Sequence, residues 1–117
     1  MGGAVSYHAG LAAEEQVARY YERAGHTIAA RRWRGPAGEI DLIVRAGATI
    51  VFIEVKCAET LGLAAERLQQ RQMDRIYASA SAFLSTEPDG QDSDVRLDVA
   101  LVDADGRIEI IENAFLV

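Results

Sequence analysis

Two apolar runs, Ile40 to Val44 and Ile50 to Val55, alternate with polar positions and flank the segment Arg45-Ala46-Gly47-Ala48-Thr49. Period-two alternation of β-branched and aromatic residues around a glycine predicts a β-hairpin. A two-residue Gly47-Ala48 turn, with glycine first as a type II′ turn prefers, sets Arg45 opposite Ile50, Ile43 opposite Phe52 and Asp41 opposite Glu54. Moving the turn to Ala46-Gly47 shifts the partners by two residues and leaves the faces unchanged. Strict alternation then puts Glu39, Asp41, Glu54 and Lys56 on one face.

Upstream, Leu11, Ala18 and Tyr21 fall at helical spacing and predict a helix from about Gly10 to Ala24, behind a mobile terminus of residues 1–9. Residues 26–33 read as a strand that Gly35-Pro36-Ala37-Gly38 closes. Downstream, Met73, Ile76, Ala80 and Phe83 mark one stripe of a long helix from about Leu63 to Leu84, and Arg67, Arg71 and Arg75 mark another. Residues 85–94 form an acidic loop, and strands Val95 to Val102 and Arg107 to Ile111 flank the turn Asp103-Ala104-Asp105-Gly106. Asp98 alternates with apolar neighbours and reads as structural. Trp33 reads as a packing residue, and His26 as a surface residue at a strand start. The expected fold is α/β in the order α-β-β-β-α-β-β, with a single mixed central sheet flanked by helices, in one domain spanning residues 1–117.

The hairpin face carries the candidate chemistry. Directly opposed strand residues hold their Cβ atoms about 4.5–5.5 Å apart. Two carboxylates that close repel each other unless a cation lies between them, and hard oxygen ligands suit Mg²⁺ or Mn²⁺. Glu14 falls within the apolar stripe of the first helix. It either caps a neighbouring element, pairs with an arginine, or reaches the same cation as Asp41 and Glu54.

Composition adds two points. Of twelve basic residues eleven are Arg, and the one Lys is Lys56, where a compact ammonium differs most from a guanidinium fork. The net charge of −6 lies wholly in residues 61–117, so it does not exclude a nucleic-acid partner for the first half. Arg31, Arg32 and Arg34 form a local positive cluster just before the hairpin. The single Cys57 makes no internal disulfide, and neither a signal-peptide pattern nor an eighteen-residue apolar run is present. A cytoplasmic location without membrane attachment is expected.

Glu14, the block Gly38-Glu39-Ile40-Asp41-Leu42-Ile43, the block Phe52-Ile53-Glu54-Val55-Lys56, Arg96-Leu97-Asp98-Val99 and the closing Glu112-Asn113-Ala114-Phe115 together resemble the YraN-like family of bacterial proteins. That resemblance implies a restriction-endonuclease-like fold, close to Holliday-junction resolvases, with the motif PD-(D/E)xK. Asp41 would be the motif's first acid, Glu54 and Lys56 its (D/E)xK, and Glu14 an accessory acid. Ile40 stands where the motif's name has proline, and Gln72 where relatives tend to carry a lysine.

The implied activity is Mg²⁺- or Mn²⁺-dependent hydrolysis of DNA phosphodiester bonds, branched or junction DNA included, by a homodimer. Asp41, Glu54 and Glu14 would hold metal, Lys56 would complete the catalytic set, and Glu39 and Gln72 would support it. Arg31, Arg32, Arg34, Arg71 and Arg75 are the backbone-contact candidates. The alternative is a non-catalytic module for nucleic-acid or protein binding that keeps the nuclease fold, with Glu54 and Lys56 merely an ion pair.

Overall fold

The hairpin forms in the first of the two registers. The computed structural model describes residues 3–114, with side chains from residue 9 onward except those of 70 and 71. In it, Arg45 pairs with Ile50, Val44 with Val51, Ile43 with Phe52 and Leu42 with Ile53. Gly47 takes φ +62°, the left-handed value that a glycine at the first turn position supplies without steric cost. Phe115 and the Arg71 side chain lie outside the described residues.

Helix α1 (Gly3–Arg23) precedes three antiparallel strands, β1 (Thr27–Gly35), β2 (Gly38–Ala46) and β3 (Thr49–Cys57). Helices α2 (Leu61–Glu66) and α3 (Gln70–Leu84) and a 3-10 turn (Gly90–Asp92) lead to β4 (Asp94–Val102) and β5 (Ile108–Ile111). The five strands make one mixed sheet in chain order, antiparallel except for the parallel pair β3–β4. A parallel pair needs a crossover, which α2 and α3 provide.

Each face of the sheet has its own core. On one, Ala13, Val17, Ala18 and Tyr21 of α1 bury Leu42, Val44, Val51 and Ile53. On the other, Ala64 of α2 and Ile76, Ala80 and Phe83 of α3 bury Ile43, Phe52, Leu97 and Val99. Trp33 packs edge-on against Phe83, with ring centroids 5.4 Å apart, as its packing assignment requires. Asp98 is fully buried beneath α1. It accepts hydrogen bonds from the Tyr21 hydroxyl at 2.8 Å, from Arg96 at 2.9 and 3.0 Å, and from the Asn113 amide at 3.0 Å. That is a structural charge, fully partnered.

Three expectations need correction. Helix α1 begins at Gly3, so most of the segment expected as a loose terminus is helical; Gly10 lies inside the helix, which tolerates one glycine at a cost of about 1 kcal/mol. The long helix is two helices. Thr60 accepts the Leu63 amide at 3.1 Å and starts α2 early, while Gln69, extended at φ −132°, ψ 142°, separates it from α3. The pieces serve different strands of a twisted sheet, α2 on β3 and β4, α3 on β1 and β2. Arg67 therefore leaves the expected arginine stripe and donates instead to the Cys57 carbonyl at 3.1 Å. Third, His26 is half-buried with Nδ1 shielded and unbonded, its ring edge-on to Tyr21 at 5.3 Å.

Candidate active site

The acids meet where the sheet opens. Pairing between β2 and β3 stops at Leu42 and Ile53. One residue further, the Asp41 carboxylate takes over from the backbone: its Oδ2 accepts the Val55 amide at 2.8 Å. This keeps the Val55 donor satisfied and fixes one carboxylate oxygen beside Glu54.

Strict alternation does not hold at this point, which corrects the single-face expectation. Ala30 and Trp33 of β1 both pack on the α3-side core, as do Ile40 and Ile43 of β2. Both strands change face over three residues. The change coincides with Arg32, a non-glycine residue at φ +49° and, by the register of its neighbours, directly across from Asp41. Glu54 and Lys56 stay on the α3 side. Asp41 instead lines a cavity of about 150 Å³ on the α1 side, together with Glu14, Glu15, Arg31 and Arg32. Glu39 and Glu54 line a second cavity of about 110 Å³ with Gln72, Arg75 and Gly38. The Asp41 and Glu54 carboxyls join the two, close enough to share a hydrogen bond.

Helix α3 holds its side of the site through the β1–β2 turn. Gly35 pairs with Gly38 across Pro36-Ala37, and the buried Ser79 hydroxyl donates to the Gly38 carbonyl at 2.8 Å. A Cβ on Gly35 would lie 2.6 Å from Ser79 Cβ and 2.7 Å from the Trp33 ring, so this approach needs glycine. The docking places Gln72 and Arg75 above Glu39 and Glu54. Gln72 Oε1 is buried and has no hydrogen-bond partner. The sequence singles out Gln72 as a departure from a lysine and, with Glu39, as a supporting residue.

Electrostatics marks the cluster as strained by its own charge. Burial, then the Asp41 charge, pushes the Glu54 carboxyl up to about 7, against the pull of Lys56, whose Nζ lies 3.2 Å from Glu54 Oε1. Burial raises the Asp41 carboxyl, opposed by the Val55 hydrogen bond. Burial and the nearby Asp41 likewise raise Glu14. Arg32 Nε lies 3.5 Å from Glu14 Oε1 and 3.4 Å from Glu39 Oε1, and Arg34 lies 3.8 Å from Glu39. Arg31 pairs with Glu15 at 2.7 Å.

Among the described residues no three Asp, Glu, His or Cys side chains already stand in a metal-holding arrangement, and Arg32 and Lys56 engage Glu14, Glu39 and Glu54. The donor set itself fits a hard divalent cation. Its three carboxylates, each raised by burial, with Glu54 and Glu14 raised further by the Asp41 charge, and an orphaned carboxamide oxygen are oxygen ligands that lack a cation's worth of neutralisation.

A larger cavity of about 410 Å³ lies elsewhere, at the carboxyl ends of β3 and β4, with Cys57, Arg67, Gln16 and several alanines in its wall. The smaller paired cavities gather Glu14, Asp41, Glu39 and Glu54 beside Lys56 and are the better candidate for chemistry. Among the described residues no helix is long and apolar enough to cross a membrane.

Fold and site together define an α/β protein with one mixed sheet and a carboxylate-lysine cluster at its opening. The chain belongs to the uncharacterised protein family UPF0102, the YraN-like proteins, whose model matches residues 13–102. It is 64% identical over 115 residues to a UPF0102 protein of Cereibacter sphaeroides strain KD131, covering 98% of each chain. A UPF0102 protein of Ruegeria pomeroyi is 55% identical over 113 residues, 97% of this chain and 92% of the relative. One from Dinoroseobacter shibae is 42% identical over 104 residues, 89% and 78% respectively.

Proposed function

We propose that the protein is a divalent-metal-dependent nuclease that hydrolyses phosphodiester bonds of DNA. The observation that carries this reading is the meeting of Glu14 from α1, Asp41 from β2, and Glu54 and Lys56 from β3 at one opening in the sheet, with the Asp41 charge raising both Glu14 and Glu54. The order of elements and the Asp41, Glu54-x-Lys56 pattern agree with a restriction-endonuclease-like nuclease.

Asp41, Glu54 and Glu14 would hold Mg²⁺ or Mn²⁺, which when bound supplies Lewis-acid polarisation of the phosphate and a more acidic water. Val55 keeps Asp41 in place through its amide. Lys56 donates to a non-bridging phosphate oxygen as negative charge grows there, a role for which an ammonium fixed by Glu54 is preorganised. Arg75 lines the α3-side cavity and Arg31 the α1-side cavity, so a phosphate backbone crossing the opening would meet a cation at either margin.

The non-catalytic module remains a second reading because Lys56 and Arg32 already neutralise the acids they touch. One experiment separates the two. Labelled four-way junction, flap, linear duplex and single-stranded substrates are incubated with Mn²⁺, Mg²⁺ or EDTA, alongside Lys56→Ala. Metal-dependent cutting that Lys56→Ala abolishes is expected; absence of cutting from the folded wild-type protein on every substrate would reject the nuclease.

A further inference from the structure

Arg32 does two things that a surface arginine has no need to do. Its backbone sits at φ +49°, a region that side-chain-bearing residues other than Asn and Asp seldom enter. That twist is part of the face change in β1, and the Arg32 guanidinium lies against two acids of the site from different elements, Glu14 of α1 at 3.5 Å and Glu39 of β2 at 3.4 Å. The same side chain is 40% exposed and lines the α1-side cavity with Asp41. It is therefore both engaged with the acids and reachable from solvent.

A polyanion approaching this opening meets Glu14, Glu39, Asp41 and Glu54. Repulsion is relieved only by cations, and Arg32 and a divalent ion compete for Glu14. A phosphate offers the planar guanidinium a bidentate partner in exchange.

Resting on the nuclease reading, we infer that Arg32 is a substrate-operated latch: it occupies Glu14 and Glu39 in the free protein and transfers to a backbone phosphate of bound DNA, freeing Glu14 to join Asp41 and Glu54 on the cation and Glu39 to support them. Metal and DNA then bind cooperatively, and linkage makes the effect reciprocal: each tightens the other by the same factor. Metal loading is thereby confined to protein that already holds substrate.

Mn²⁺ affinity, measured by calorimetry and by the electron paramagnetic resonance of free Mn²⁺, tests this without relying on cleavage. The probe is a phosphorothioate-linked duplex, and the proteins are wild type, Arg32→Asn and Arg32→Lys. Asn accepts the left-handed backbone and removes the charge; Lys keeps the charge. Near-ultraviolet circular dichroism checks that each is folded.

The duplex should tighten Mn²⁺ binding to wild type by about fivefold or more, the lower end of ordinary coupling between sites. Arg32→Asn should bind Mn²⁺ about fivefold more tightly than wild type without DNA, with the duplex adding less than about twofold. Arg32→Lys should stay near wild type without DNA. Mn²⁺ binding by wild type with Arg32→Asn no tighter, or tighter binding by Arg32→Lys to the same degree, overturns the latch and leaves the nuclease reading standing. Absence of saturable Mn²⁺ binding to wild type, with or without duplex, overturns both.

Discussion

Replacing Glu54 by glutamine should stabilise the metal-free protein at alkaline pH while removing its response to metal. The Glu54 carboxyl sits at about 7 in the folded protein against an ordinary 4.5, through burial first and the Asp41 charge second. A raised folded pKa means the native state binds more protons than the unfolded chain between those two values. Stability from this group is thus full below about pH 4.5 and falls as pH rises to about 7, beyond which the ionised carboxylate is a constant burden. At about 1.4 kcal/mol per tenfold in proton affinity the interval corresponds to roughly 3 kcal/mol. Glu54 and Asp41 titrate as a pair and Lys56 offsets part of the cost, so the expected gain for Glu54→Gln at pH 8 is about 1–3 kcal/mol. Lys56 keeps a partner in Asp41, whose carboxyl its charge already favours.

Urea unfolding followed through Trp33, the only tryptophan, provides the assay. Its ring lies against Phe83 in the α3-side core and reports global unfolding. Runs at pH 4.5, 6 and 8 should show the variant's advantage appearing only as pH rises. In Mn²⁺ the order should reverse, with wild type gaining and the variant unchanged. A loss of stability for Glu54→Gln at pH 8, or the same gain at every pH, would refute the argument that like charge and burial dominate this site.

Other outcomes follow from the same geometry. Asp98→Ala leaves Arg96 only the more distant Glu112, at 3.8 Å, and removes the acceptor of the buried Tyr21 hydroxyl, so it should cost about 3–5 kcal/mol in urea unfolding and leave little folded protein at 37 °C. Gly35→Ala drives a methyl into Ser79 and Trp33 and should lower stability by about 1–3 kcal/mol, with a shifted Trp33 emission maximum as α3 is pushed away. Gln72→Leu should raise metal-free stability by up to about 1 kcal/mol in thermal unfolding, since Oε1 has no partner to lose. Thr60→Ala removes the cap of α2 and should cost about 1 kcal/mol by the same measurement.

What was legible in the sequence was local. The alternation around Gly47 predicts the hairpin and its register, the Met73-Ile76-Ala80-Phe83 spacing predicts the buried face of α3, and both depend only on near neighbours. The break between α2 and α3 left no glycine or proline to mark it, because it answers to sheet twist and not to propensity. The face change at Arg32 and Asp41 was hidden for a related reason. Period-two reading assumes regular backbone, and nothing in an Arg-Arg-Trp-Arg run announces a residue at φ +49°. Regular alternation therefore puts the acids on one face, whereas Asp41 and Glu54 line adjoining cavities on opposite sides of the sheet. Arg32 was legible as charge near a site and not as a clasp on two of its members.

The hydrogen bond from the Val55 amide to Asp41 bears on how an inactive form of this protein should be made. Asp41→Ala would strip the Val55 amide of its carboxylate acceptor at the point where β2 and β3 part, so lost function and a loosened hairpin would arrive together. Asp41→Asn keeps a carbonyl oxygen for Val55 while discarding the negative charge. In a complementation experiment, a phenotype from the alanine allele alone would report folding, and one shared with the asparagine allele would report chemistry.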